Sequence, residues 1–170
     1  NIAASAIATV LATRYFGAGP LSSGYTIDAD FDNGWIDNGG SAAIGLMAGS
    51  ATPRLIFYGG DNQYRFIDES GNYHATGLGF TDGGVHVSFD LTSTGYSFTA
   101  TRLADSSTFT YAGGVINAFA ILAVDQNAGY DSQRDVYVNS LKVTQTTPEP
   151  ASMAAIGVGL FGLLRRRKRS

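Results

Sequence analysis

This sequence predicts an all-β body, an antiparallel β-sandwich, followed by a single C-terminal hydrophobic helix. Three observations carry that reading. Two stretches, Tyr25-Thr-Ile-Asp-Ala-Asp-Phe-Asp32 and Val85-His-Val-Ser-Phe-Asp-Leu91, alternate apolar and polar residues with a period of two, the signature of half-buried strands. Glycine stands at 22 of 170 positions, and Gly, Asn and Asp recur between short apolar runs as turn signals. The body lacks a convincing amphipathic helix, whereas Ala151 to Leu164 runs without a charge near the C-terminus.

Taken in order, Ala6 to Phe16 is rich in β-formers and leads into the Gly19-Pro20 turn. In 25–32, Tyr25, Ile27, Ala29 and Phe31 share one face, and Thr26, Asp28, Asp30 and Asp32 the other. Asn33-Gly34 and Asn38-Gly39-Gly40 turn the chain around Trp35 and Ile36. Strands are expected at Ser41 to Ala48 and Arg54 to Tyr58, split by the Gly49 to Pro53 loop. A further strand, Gln63 to Asp68, follows the Gly59-Gly60-Asp61-Asn62 turn, and Ser70-Gly71-Asn72 turns again. After 85–91, Ser93-Thr94-Gly95 makes a hairpin with Tyr96 to Leu103, and Thr108 to Tyr111 is short. Ile116 to Val124 is nearly all apolar, as a central strand is, and Asp135 to Thr144 closes the body. About ten strands result, and Phe31, Val87, Phe89, Phe98, Phe119, Ile121, Val136 and Val138 are expected in the core.

Composition excludes several functions. Residues 1–147 hold 6 Lys+Arg against 13 Asp+Glu, a charge of −7, which argues against nucleic acid as partner. Cysteine is absent, and with it any disulfide, thiol nucleophile or thiolate metal site. No basic segment precedes the apolar Ile2 to Ala12, and the chain is expected to be a fragment whose signal peptide lies upstream.

The C-terminal end has its own logic. Pro148 and Pro150 lack an amide hydrogen and end the preceding strand. As a helix, the 14 residues 151–164 reach only about 21 Å at ~1.5 Å per residue, short of a hydrocarbon core of roughly 30 Å. Arg165, Arg166, Arg167, Lys168 and Arg169 extend that span by snorkelling and orient the basic end to the cytoplasm. The order Pro148-Glu149-Pro150, short apolar helix, basic cluster resembles a PEP-CTERM sorting signal of Gram-negative exported proteins. That resemblance implies an exosortase-type sorting enzyme as partner and attachment to the membrane through helix 151–164. It further implies an inner-membrane intermediate that is cleaved and delivered to the cell surface or outside. The chain then divides into a β-sandwich domain, 1–146, and a sorting signal, 147–170.

A second resemblance covers most of residues 6–144. The phrases Gly19-Pro20-Leu21, Asp30 to Asp37, Gly59 to Tyr64, Gly77 to Gly84 and Asp135 to Leu141 are similar to a family of bacterial exported domains of the concanavalin-like (laminin-G-like) jelly-roll type. Members carry further strands upstream, which implies that the domain here is N-terminally incomplete.

Candidate chemistry is sparse. Gly157-x-Gly159-x-x-Gly162 matches a dinucleotide-binding pattern but sits inside the apolar tail without a preceding strand, so it reads as helix packing. Asp28-x-Asp30-x-Asp32 resembles the start of a Ca²⁺ loop, with its glycine one position late; the competing reading is a solvated acidic stripe. Asp125, Asn127, Asp131 and Asp135 form a second acidic loop that offers oxygen ligands to Ca²⁺, against the plainer reading of turn-forming residues; no other cofactor is expected. His74 and His86 belong to no ligand or triad pattern and read as surface residues. Trp35, Tyr58, Tyr64, Tyr73 and Tyr130 lie in or near turns, where aromatic faces stack on sugar rings. The only glutamates are Glu69 and Glu149, so the close Glu pair of concanavalin-like glycosidases is absent. The chain is therefore expected to be a non-catalytic protein that binds or scaffolds extracellular polysaccharide in a biofilm matrix. A glycan-cleaving enzyme on the same fold and a purely structural surface protein are the alternatives.

Overall fold

A computed structural model describes residues 9–17, 19–126 and 136–146. They form eleven strands: β1 (Thr9–Tyr15), β2 (Tyr25–Asp32), β3 (Ser41–Met47), β4 (Arg54–Tyr58), β5 (Gln63–Ile67), β6 (Tyr73–Gly79), β7 (Val85–Leu91), β8 (Tyr96–Arg102), β9 (Thr108–Gly113), β10 (Ala120–Gln126) and β11 (Tyr137–Gln145). No helix occurs among the described residues. The expected helix 151–164, the sorting motif 148–150 and the basic cluster 165–169 lie outside them.

Two antiparallel sheets result, one ordered β1-β10-β3-β4-β5-β6 and the other β11-β2-β7-β8-β9. Period-two alternation decides which side of each strand meets the partner sheet. From β2 come Ile27, Ala29 and Phe31; from β7, Val85, Val87, Phe89 and Leu91; from β8, Tyr96, Phe98 and Ala100. They meet Ala42, Ile44 and Leu46 of β3, Leu55 and Phe57 of β4, and Tyr64 and Phe66 of β5. Phe66 stacks on Phe98 across the sheets at 4.2 Å between ring centroids, and Phe98 lies 4.7 Å from Phe89. Such offset aromatic contacts add to what area burial alone contributes.

Several boundaries and burials differ from expectation. One strand, β6, escapes sequence reading because Gly77 and Gly79 interrupt its alternation. Side chains substitute for the weak pattern: Gln63 Oε1 accepts from the Gly77 amide at 2.7 Å, and Thr76 Oγ1 donates to the Tyr64 carbonyl at 2.6 Å. Gly77 sits at φ +73, where a side chain would be strained. The apolar run 116–124 enters its sheet only at Ala120, because Leu21 and Ala118 form an isolated bridge first. Phe119 and Val136 are half-buried, and Val138 is exposed at 37 %. Val138 belongs to β11, which with β1 forms the pair of outermost strands on one side of the sandwich. There Val10 and Val143 also face solvent, and no described strand covers them. The opposite side is closed by side chains reaching between β6 and β9.

Candidate functional site

The outer face of the six-stranded sheet carries a groove, and three rungs of the register explain it. Gln126, Ser41 and Tyr58 are paired across β10, β3 and β4; so are Val124, Ala43 and Ile56, and then Leu122, Gly45 and Arg54. At these three rungs the middle strand presents only small residues outward, whereas its neighbours present longer ones, so a trough runs along β3 from Ser41 to Gly45. It encloses about 300 Å³ and is lined by Leu11, Met47 and Thr52 besides the rung residues other than Gly45. From Ser41 to Gly45 the chain advances about 14 Å at ~3.4 Å per residue. Gly45 is required for close approach, because a Cβ there would lie 2.4 Å from both the Arg54 Cβ and the Pro53 carbonyl oxygen.

Polar groups stand at both ends of this apolar floor. The Arg54 guanidinium donates from Nη1 to the Thr52 carbonyl at 3.0 Å. At the other end the Tyr58 and Tyr73 hydroxyls are 3.2 Å apart, and the Arg65 guanidinium carbon lies 5.9 Å from the Tyr58 ring centre. Arg65 is itself held by Asp61 at 2.8 Å. Burial, followed by the hydrogen bond and charge of Tyr73, pushes the Tyr58 phenol up to about 12, so it is a neutral donor at neutral pH. The trough therefore offers an apolar floor with hydroxyl, amide and guanidinium groups at its rims, a layout that suits an extended polar chain with apolar faces.

Of the residues singled out from sequence, Tyr58 lines this groove and Tyr73 contacts it through the hydroxyl pair. Tyr64 does not belong: it is fully buried, and its hydroxyl donates to the Asn33 side chain inside the core, so it offers no face to a sugar. Trp35 is exposed but packs edge-on against Phe80, away from the groove lining. Tyr130 lies outside the described residues, as do Asn127, Asp131 and Asp135 of the candidate Ca²⁺ loop. Asp125 is half-buried on β10, opposite Val10 and Ala42. Arg54, Ser41 and Gln126 are groove residues that the sequence reading passed over; the signal was the small outward series Ser41, Ala43, Gly45 within β3.

Two clusters of titratable side chains lie outside the trough. On the outer face of the five-stranded sheet, His86 Nδ1 lies 2.7 Å from Asp30 Oδ1 and His86 Nε2 lies 3.7 Å from Asp28 Oδ1. The His86 bond, followed by one from Ser140, holds the Asp30 carboxyl below its usual range despite some burial. Ser140 sits at φ 53 within the register shift between Asn139 and Lys142. Among the described residues no group of three or more His, Asp or Glu is placed to hold a metal ion.

The second gathering seals the β6–β9 side. Asp68, buried at the end of the β5 hairpin, meets His74 Nε2 at 2.9 Å, the Tyr111 hydroxyl at 3.1 Å and the Asn72 amide group at 3.1 Å. It also accepts from the Ser70 and Asn72 backbone amides at 2.9 Å each. Burial opposes the Asp68 carboxylate, yet these hydrogen bonds, His74 first, hold its pKa well below the carboxylate range. Glu69 accepts from the Tyr96 hydroxyl at 2.8 Å and the Gly114 amide at 2.6 Å. Histidine 74 is thus no simple surface residue, since it also lies 4.5 Å from the Tyr111 ring.

Comparison with known proteins adds two findings. The PEP-CTERM protein-sorting motif matches residues 146–169, so the chain carries a sorting signal. Solved structures share the sandwich. A Scytalido-glutamic peptidase is 15 % identical, with 82 % of this chain and 81 % of that one covered and a TM-score of 0.54. A galectin of Caenorhabditis elegans is 11 % identical, with 79 % and 90 % covered and a TM-score of 0.53. A pseudo β-1,3-glucanase of Mycobacterium tuberculosis is 11 % identical, with 82 % and 75 % covered and a TM-score of 0.53. At these identities the likeness shows the galectin and concanavalin type of β-sandwich and nothing finer. No curated protein matches the chain.

Proposed function

We propose that this sorted, exported β-sandwich protein is non-catalytic and binds an extended polysaccharide in the trough along β3. The sorting motif implies an exported, membrane-anchored intermediate of a Gram-negative bacterium, recognised by an exosortase-type enzyme. In this reading residues 147–170 are a separable sorting segment, attached to the membrane through 151–164, and the domain 1–146 is the cargo it delivers to the surface matrix. One observation carries the binding half: small residues on β3 between long ones on β4 and β10 make an elongated trough open to solvent.

The non-catalytic half has chemical support. Hydrolysis of a glycosidic bond ordinarily needs two carboxyl groups flanking it. None of the residues lining the trough is Asp or Glu, and Glu69 is engaged by Tyr96 and the Gly114 amide between the sheets. Binding is tested by applying the full chain, in non-ionic detergent, to a glycan array with and without Ca²⁺. Capture of polysaccharides that Tyr58→Ala weakens about tenfold is expected, since loss of one aromatic face costs about 1–2 kcal/mol. Absence of capture on every glycan, or release of shortened glycan products, overturns the reading.

A further inference from the structure

Resting on that glycan reading, we infer that the trough selects carboxylated glycans, polymers bearing uronate residues, and that Arg54 receives the carboxylate. Two other arginines of the described body have acidic partners. Arg65 is paired with Asp61 at 2.8 Å and Arg102 with Asp105 at 2.6 Å. Arg54 donates one hydrogen bond, to the Thr52 carbonyl, and no described carboxylate forms an ion pair with it; Arg14 and Lys142 are likewise without one, but Arg54 is the cation that lines the trough. A guanidinium has five N–H donors in a planar fork, so Arg54 retains donors for a two-point contact with a carboxylate.

Position strengthens the point. Arg54 closes one end of the trough at the Leu122–Gly45–Arg54 rung, and Gly45 leaves room for its stem. Neither its own rung nor the other two brings an Asp or Glu outward, although residues 1–147 hold 13 of them. An acidic body repels a polyanion at long range, but that repulsion is screened within about 8 Å at physiological salt while a contact pair survives. The acidic surface therefore leaves selection to the trough. A neutral glycan meets the apolar floor and the Tyr58 and Gln126 rim equally well, so carboxylate preference isolates what Arg54 adds.

Polygalacturonate, alginate and hyaluronate, each paired with its carboxyl-reduced counterpart, are the probes. Binding of the full chain in non-ionic detergent is measured at 0.15 M salt. In at least one pair the acidic polymer is expected to bind about tenfold more tightly, the range of a charge-assisted contact at a partly exposed site. Arg54→Gln should abolish that ratio, taken between the acidic and carboxyl-reduced polymers measured on the same variant. Arg54→Lys should keep only part of it, since an ammonium lacks the fork. Arg65→Gln, whose partner is Asp61, should leave it intact. If Arg54→Gln loses its strand spectrum by circular dichroism, the Arg54→Lys ratio decides. Equal or weaker binding of every acidic polymer, or a preference that survives at Arg54→Lys and Arg54→Gln unchanged, overturns the inference while neutral glycan binding still stands. No binding of either member of any pair, and of no glycan on the array, removes both readings.

Discussion

Replacing Asp68 tests whether one buried carboxylate locks the two sheets together. Its five hydrogen bonds are not equivalent. Ser70 and Asn72 lie on an exposed turn, where water replaces the lost acceptor. His74 and Tyr111 point into the closed β6–β9 side and are half-buried, so their donors are left without a partner. At about 1.5–3 kcal/mol for each hydrogen bond to a charged group, two such losses put Asp68→Ala near 3–6 kcal/mol. That is a large share of the ~5–15 kcal/mol by which domains are stable, and it lowers the melting temperature by about 10 °C. Acid acts through the same carboxylate. Because its pKa is depressed in the folded state, the stabilisation is present above the unfolded-state value of about 3.9 and is lost as pH falls toward the folded one. Glu69 and Asp30, also lowered, contribute with the same sign. Urea midpoints of the full chain in detergent should therefore be level between about pH 7 and 5 and fall below about pH 4. Asp68→Asn should begin lower and fall less. A gap between wild type and Asp68→Asn that stays constant from pH 7 to 3 would refute the role given to the charge.

Two further outcomes follow from other parts of the chain. Gly45→Ala forces a Cβ to within 2.4 Å of the Arg54 Cβ and the Pro53 carbonyl, and the β3–β4 register must shift. A loss of about 1–3 kcal/mol by urea unfolding is expected, as for overpacked sites, together with weakened glycan capture. Replacing Arg165, Arg166, Arg167, Lys168 and Arg169 by Ser removes the orienting charge beside the apolar segment 151–164. Cell fractionation should then find less protein held at the inner membrane; mass spectrometry that finds the tail intact on surface-released protein would refute cleavage.

Period-two alternation alone determined much of the fold. In β2 and β7 every second residue is apolar, and the structure buries all of these but the half-buried Tyr25, because a half-covered sheet sorts residues by face. The sorting signal was equally legible, since proline, an apolar run and a basic cluster act through local chemistry at adjacent positions. Strand β6 was not, because Gly77 and Gly79 leave no side-chain pattern and its pairing depends on Gln63 and Thr76 hydrogen bonds. Tyr64 looked like a turn aromatic until the fold enclosed it beside Asn33. Val138 alternates like a core residue, yet β11 is outermost in its sheet and leaves it in solvent. The trough required three strands at once: β3 and β4 follow one another but β10 is distant in sequence from both, and only their register sets Arg54, Gly45 and Leu122 on one rung. Side-chain facing is a local property of a strand and can be read from spacing, whereas a groove is a difference in side-chain length between neighbours that only tertiary pairing assigns.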